Sequence, residues 1–328
     1  MKVLVTGGAG YIGSHVVRQL GEAGHDIIVL DNLSTGFRKA VLAGELVVGD
    51  VGDLDLLDQL FSKHQFDAVL HFAAKIVVPE SVENPLKYYR NNSANTLGLI
   101  ETCVHHSIKY FVFSSTAAVY GEPEKSQVVE TDPLLPINPY GASKMISERM
   151  LTDTAAASKL KYIILRYFNV AGADPEGRIG QSTPEATHLL KVACETALGK
   201  RPGMAIFGED YATRDGTCIR DYIHVDDLAR AHLDALDYLA AGNNSDILNC
   251  GYGGGYTVKE VIDTVRRISG NDFPVEIVER RAGDPPELIA GNDRIQKVLG
   301  WRPRHNDLEF IVRTAYEWEK KIGLSTEY

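Results

Sequence analysis

Lys2-Val-Leu-Val-Thr6-Gly7-Gly-Ala-Gly10-Tyr-Ile-Gly13 decides the fold of this chain. Its first five residues form a short apolar, β-branched run that reads as a buried strand. Glycines follow at once, and Tyr11 to Ala23 then sets Ile12, Val16, Val17 and Leu20 at helical spacing. A glycine pattern alone is weak evidence, since flexible turns carry it too; between a strand and a helix it marks a dinucleotide loop. Gly7, Gly10 and Gly13 there serve a tight turn, close backbone approach to a pyrophosphate and close helix-on-strand packing, and the helix beginning Tyr11-Ile12 points its N-terminus at the phosphates. The second strand, Asp26 to Leu30, ends at Asp31, about twenty residues beyond the glycines, where an acid bonds the adenosine ribose hydroxyls. An acid there repels a 2′-phosphate, so the expected cofactor is NAD rather than NADP.

Further along, Tyr140-Gly-Ala-Ser-Lys144 places a phenol and an ammonium on one face of a helix. A nearby lysine charge stabilises phenolate and lowers the phenol pKa from its usual value of about 10, which lets Tyr140 take a proton from a hydroxyl. Tyr-x-x-x-Lys is common by chance. Here it shares a chain with the dinucleotide loop and with Ser114-Ser-Thr116, which closes an apolar run. Thr116 supplies a hydroxyl to hold a substrate oxygen, and Ser115 is a second candidate for that role. His71, at the end of another apolar strand, reads as a packed core histidine rather than a base.

The chain has 328 residues, 44% of them hydrophobic, enough for one large domain or two interlocked ones. A net charge of −10 with no basic stripe argues against nucleic acid as a partner. The chain opens on a core strand and holds no apolar run of membrane-spanning length, so the expected location is cytoplasmic, with no membrane partner. Cys103, Cys194, Cys218 and Cys250 are scattered without metal-ligand spacing; no metal is expected, and reduced, buried thiols are. Through about residue 168, strand-like and helix-like segments alternate, including helical stretches at Asn84–His106 and Pro139–Ala157. Such alternation predicts an α/β fold with a Rossmann-type, doubly wound parallel sheet. After Arg166 glycine and proline break the regularity, as in loops at a binding cleft. Asp221-Tyr-Ile-His-Val225, an Asp226-Asp227 helix cap and the amphipathic stretch Leu228 to Leu239 return to the first pattern. The expected division is therefore a dinucleotide domain of residues 1–168 plus approximately 221–248, and a smaller, discontinuous α/β substrate domain of approximately 169–220 plus 249–328.

The ordered motifs Gly7-Gly-Ala-Gly-Tyr-Ile-Gly-Ser-His15, Asp31-Asn-Leu33, Gly49-Asp50-Val51, His71-Phe-Ala-Ala74, Tyr88-Tyr-Arg-Asn-Asn92, Ser114-Ser-Thr-Ala-Ala-Val-Tyr-Gly121, Arg166-Tyr-Phe-Asn169, Arg220-Asp-Tyr-Ile-His-Val225 and Arg281-Ala-Gly-Asp284 resemble the extended short-chain dehydrogenase/reductase family, most closely its UDP-hexose 4-epimerases. The resemblance covers nearly the whole chain. It implies that Asp31 and Asn32 meet the adenosine, Asp50 and Val51 contact adenine, and Phe72, Ala73, Ala74, Asn91 and Phe168 line the cofactor, with Lys144 also bonding the nicotinamide ribose. It implies further that a UDP-sugar is held by Asn169, His188, Leu189, Ala205, Ile206, Phe207, Arg220, Arg281 and Asp284. Lys75 sits one position earlier than the lysine frequent in relatives, so no cofactor contact is assigned to it.

The implied activity is interconversion of UDP-galactose and UDP-glucose through a transient 4-keto sugar, with Thr116, Tyr140 and Lys144 as the catalytic set and the hydride returned to the opposite face. Leu288 is implied to border the sugar C2 substituent, either as a size gate or only as cleft-edge packing. Action on UDP-N-acetylglucosamine or UDP-uronates stays open, as does a non-catalytic dinucleotide-sensing role. A dehydratase is disfavoured, because Ala117-Ala118 stands where such relatives carry an acidic pair. In relatives the two long helices form a dimer interface, so a homodimer is expected.

Overall fold

The computed structural model describes residues 1–184, 186–281 and 284–323. Chain order begins β1 (Lys2–Thr6), α1 (Tyr11–Glu22), β2 (Asp26–Asp31), β3 (Glu45–Val48), α2 (Leu54–His64), β4 (Ala68–His71), α3 (Val78–Glu83), α4 (Pro85–Tyr88) and α5 (Asn95–His105). It continues through β5 (Tyr110–Thr116), β6 (Gln127–Val128), α6 (Pro139–Ala156), β7 (Lys161–Tyr167), β8 (Asn169–Ala171), α7 (Leu189–Ala197), β9 (Met204–Phe207), β10 (Ile219–Arg220), β11 (Tyr222–His224) and α8 (Val225–Ala240). The last elements are β12 (Asp246–Cys250), β13 (Tyr256–Thr257), α9 (Val258–Ser269), β14 (Val275–Val278), β15 (Glu287–Ala290), α10 (Asp293–Leu299) and α11 (Leu308–Gly323).

Seven strands form a parallel sheet in the order β12-β7-β5-β4-β1-β2-β3. The chain leaves β1 toward β2 and β3 on one side and returns to β4, β5 and β7 on the other. That reversal opens a crevice at the carboxyl ends of β1 and β4, where open α/β sheets bind ligands. Helices cover both faces, so the strands are apolar throughout rather than alternating. Val3 and Val5 join Val16, Val17, Leu20, Leu228 and Leu236 on one face, while Leu4 joins Leu30, Leu57, Phe61, Phe111 and Phe113 on the other. The α/β, doubly wound architecture agrees with the sequence reading. Among the described residues, no helix is long and apolar enough to cross a membrane, and all four cysteines are buried and unpaired.

One local expectation is refined and one revised. The stretch 84–106 is helical without a break from Pro85 to His105, but it is not α-helical throughout: a π-helical turn spans Tyr89–Ala94 between α4 and α5. Pro85 cannot continue an earlier helix, and the wide turn leaves room for Asn92 to face inward, where it exchanges hydrogen bonds with both backbone groups of Lys75 and donates to Ser143 Oγ at 3.0 Å. The cap of α8 is His224, whose Nδ1 accepts from the Asp226 amide at 3.1 Å, rather than Asp226-Asp227. Those acids lie in the first turn, where they suit the helix dipole, and their carboxylates serve other partners: Asp226 bonds His15 and Arg18, and Asp227 accepts from Tyr252, Arg304 and His305.

The smaller region has a four-stranded sheet, β13-β10-β15-β6, and two parallel pairs, β8 with β11 and β9 with β14. β6 comes from the connection between β5 and α6, yet pairs with β15 through Gln127 opposite Ile289. The segment joining Thr116 to Tyr140 is thus bonded into the sheet that carries Arg220 and Leu288, which face each other across β10 and β15.

Candidate active site

At the crevice, the turn after β1 is built from backbone contacts. Gly7 has φ +72°, and a Cβ on it would stand 2.6 Å from the Ala73 nitrogen; a Cβ on Gly13 would stand 2.3 Å from the Gly7 carbonyl oxygen. Neither position accepts a side chain. A Cβ on Gly10 would meet only the Gly7 oxygen, at 3.3 Å, so the first turn of α1 stays open to a phosphate. Asp31 is buried, and its two oxygens accept from the amides of Ala9 at 2.9 Å and Leu33 at 2.8 Å. It therefore ties the glycine loop to the end of β2 and retains lone pairs for a ribose. Beside it, Asn32 donates to Asp50 at 2.8 Å, while Val51 is buried in the core. A crevice lies between Ala9, Gly10, Tyr11 and Ser14 on one wall and Thr35, Phe37, Ser182 and Thr183 on the other. The Tyr11 hydroxyl donates to the Gly172 carbonyl at 2.6 Å, which fastens this helix to the chain entering the substrate region.

The catalytic candidates converge from β5 and α6. Thr116 is the last residue of β5, and Tyr140 lies in the first turn of α6, capped by the Asn138 side chain accepting from the Gly141 amide at 2.8 Å. The Thr116 hydroxyl, which accepts from the Ala118 amide at 3.1 Å, lies near enough to the Tyr140 phenol to favour its ionised form. Lys144, one turn on, is buried; its Nζ donates to the Ser114 carbonyl at 2.6 Å and lies 4.6 Å from the centre of the Phe113 ring. The Ser115 side chain takes the face of β5 opposite that of Thr116. It is fully buried, and its hydroxyl donates to Glu148 on the far side of the strand. Strand alternation was the available signal: residues 114 and 116 share a face and 115 takes the other.

Electrostatics here departs from the expected picture. Burial raises the Tyr140 phenol, and the nearby Thr116 hydroxyl offsets that rise only in part. Burial also depresses Lys144, to about 7, against the opposing pull of Glu148. Lys144 turns its ammonium to a carbonyl and is itself held at a cost, so its charge alone does not bring the phenol down. His71 is the core histidine expected: Nδ1 meets Thr6 at 2.6 Å, Nε2 meets Thr96 at 2.8 Å, and burial pushes it down to about 3.

On the substrate side, Arg220 pairs with Asp284 at 2.9 Å, and the Arg281 guanidinium stacks 3.6 Å above the centre of the Phe207 ring. Ala282 and Gly283 of that motif lie outside the described residues. Ala205 and Phe207 share a face of β9, whereas Ile206 is buried in the core and offers a ligand only its backbone. Asn169, His188 and Leu189 line a second crevice together with Gln181, whose amide meets His188 Nδ1 at 2.9 Å. Leu288 packs with a buried cluster that includes Ala117, Tyr120 and Phe168. Phe72 contacts the His232 ring, 4.8 Å between centres, and Asn91 donates to Asn92 at 3.0 Å. Ala74 and Phe168 sit on the segments leaving β4 and β7. Sequence reasoning missed Asn92, Glu148 and Tyr167; the first two are polar residues on the buried sides of helices, a pattern that marks buried networks.

Residues 3–251 match the model of the NAD dependent epimerase/dehydratase family. The chain is 57% identical over 325 residues to the UDP-glucose 4-epimerase of Azospirillum brasilense, covering 99% of this chain and 93% of that protein. Among solved structures, it is 52% identical to the UDP-Glc/GlcNAc 4-epimerase of Campylobacter jejuni, with a TM-score of 0.87 over 98% of this chain and 99% of that one. It is 34% identical to the UDP-glucose 4-epimerase of Bifidobacterium longum in complex with NAD+ and UDP, with a TM-score of 0.92 over 98% of each chain.

Proposed function

The chain belongs to the NAD dependent epimerase/dehydratase family, and from that membership we propose that it interconverts UDP-galactose and UDP-glucose at C4 with NAD as a retained cofactor. One observation carries the reading: Thr116, Tyr140 and Lys144 meet at the end of β5, beside a glycine loop that is closed to side chains and open to a phosphate. Asp31, the glycine loop, Asp50, Val51, Phe72, Ala73, Ala74, Asn91 and Phe168 would hold NAD, and the backbone cradle and the acid at the end of β2 fit it. Bound NAD supplies the chemistry of accepting hydride from C4 and giving it back.

Each side chain then has a defined task. Thr116 holds the C4 hydroxyl and passes its proton to Tyr140, which stores it for return to the same oxygen once the keto sugar has turned its other face to the cofactor. Lys144 orients the cofactor ribose and adds positive charge near the phenol, although burial opposes it. Arg220 and Arg281 grip the diphosphate so that the sugar turns without leaving, a role for which planar guanidinium groups are suited. Phe207 offers an aromatic face to the base. The active unit is a cytoplasmic homodimer. Support for the dimer comes from exposed apolar side chains on neighbouring helices: Val82 at 63%, Leu86 at 74% and Leu97 and Val104 at 40% exposure. The division into a dinucleotide domain and a discontinuous UDP-sugar domain is part of the same reading, supported by the separation of the seven-stranded from the four-stranded sheet.

Purified protein given UDP-galactose without added cofactor should form UDP-glucose, and should release NAD(H) on denaturation. Free NADH accumulating in step with turnover would contradict the retained-cofactor mechanism.

A further inference from the structure

Behind the catalytic residues lies a buried ion pair to which the reaction assigns no task. Glu148 and Arg166 are each 3% exposed. Arg166 Nε donates to the two carboxylate oxygens at 3.0 and 3.2 Å, and one terminal nitrogen donates at 2.6 Å. A pair this deep is costly to desolvate and is weak evidence of stabilisation in itself. Its connections are more informative. Glu148 is four residues from Lys144 on α6 and accepts from Ser115 on β5, while Lys144 donates to the Ser114 carbonyl next door. Arg166 lies on β7 beside Tyr167, whose hydroxyl bonds Ser114 Oγ. The last residues of β5 are therefore held from α6 on one side and from β7 on the other, and Thr116 is the next residue in that strand.

We propose that Glu148 is a positioning residue for the epimerase reaction: with Arg166 it locks the end of β5 against α6, so that Thr116, Tyr140 and Lys144 meet, and it supplies the negative charge that supports the Lys144 ammonium. The inference rests on the function proposed above. Other groups facing Lys144 do not replace that charge. His71 on β4 is neutral, its pKa being pushed down to about 3, and its field opposes Lys144 when it is protonated. Tyr140 on α6 and Tyr167 on β7 both have raised phenols, as does Tyr88, which lies close enough to Tyr140 to sense its charge. Ser114 and Phe113 on β5 and Asn92 in the π-helical turn do not titrate. The Lys144 ammonium, depressed to about 7, has Glu148 as the acid opposing that depression.

The sign follows from the charge. Removing a carboxylate beside an ammonium lowers the lysine pKa, so a step that needs the ammonium fails at a lower pH. Glu148→Gln keeps shape and the Ser115 hydrogen bond. It should move the alkaline limb of kcat for UDP-galactose down by on the order of one pH unit, while KM changes by less than about twofold, since Glu148 is buried among Ser115 and Arg166. Glu148→Asp keeps the charge but withdraws it from Ser115 and Arg166. It should leave the limb in place and lower kcat several-fold. If the unpaired arginine prevents Glu148→Gln from folding, the double variant Glu148→Gln/Arg166→Gln removes both charges and should move the limb in the same direction by a smaller amount, because the lost guanidinium offsets part of the lost carboxylate. An alkaline limb at the parental pH in the neutral variant that folds overturns the charge role, and parental kcat in Glu148→Asp overturns the positioning role. Either result leaves the proposed function standing, whereas a parent enzyme that does not epimerise UDP-galactose refutes that function itself.

Discussion

The two walls of the cleft are built on different principles. On the dinucleotide wall the key groups already have their partners: the Gly7 amide donates to Leu30 at 2.9 Å, the Phe72 amide donates to Thr6 at 2.9 Å, and Asp31 takes the amides of Ala9 and Leu33. These bonds follow from a parallel sheet and its turns, and a ligand adds to them without displacing any. On the substrate wall, the groups suited to an anion are engaged with each other, Arg220 with Asp284 and Arg281 with Phe207. On the function proposed above, a diphosphate competes for those guanidinium groups. The first wall is then preorganised and the second binds by exchange, so losses at the second should appear in substrate selection and affinity rather than in folding.

The largest test falls at the seam between the walls. Tyr140→Phe keeps the ring's packing and removes the proton-transfer group, so turnover should fall by at least roughly a hundredfold with an unchanged melting temperature. Near-normal turnover would remove Tyr140 as acid and base. A smaller effect is expected from Asp31→Ala. That substitution leaves two amides without acceptors, at about 1–3 kcal/mol each. NAD(H) recovered per chain on denaturation should drop severalfold, and discrimination against NADP should relax; equal preference for NADP in the parent would show that Asp31 only ties the loop. The smallest effect is expected at Leu288, opposite Arg220 in the sheet. Efficient exchange of UDP-glucose and UDP-galactose should be accompanied by weaker action on the UDP-N-acetyl pair, since an apolar wall leaves room but offers an acetamide no hydrogen bond. Leu288→Tyr should suppress the second activity by roughly tenfold and spare the first. An equal fall in both would reduce Leu288 to packing, as its contacts with Ala117, Tyr120 and Phe168 allow.

The dinucleotide wall was legible because its signals are short-range. Strand, glycines and helix are contiguous in residues 2–22, and the acid follows on the next strand. Helix positions were read closely where caps and apolar spacing agreed, as for α6, expected at Pro139–Ala157 and found at Pro139–Ala156. The extent of the helical stretch 84–106 was read as closely, found at Pro85–His105, but its π-helical turn was not, because helical periodicity continues across it. Ser115 was separable from Thr116 by strand alternation, but that argument gains force only when the far face is known to hold Glu148.

The sequence by itself determined the doubly wound sheet, and it supplied the argument for NAD from Asp31 and the candidate set Thr116, Tyr140 and Lys144, since each is read from short local motifs. Tertiary structure alone decided which groups those residues meet. β6, from the loop between Thr116 and Tyr140, joins the four-stranded sheet; Asp284 finds Arg220 across 64 positions; and Lys144 is buried against the Ser114 carbonyl, with burial depressing its charge and Glu148 supporting it. Hydrogen bonds over long separations and the desolvation of a buried ammonium depend on burial and on the approach of distant segments, and neither is written in local spacing.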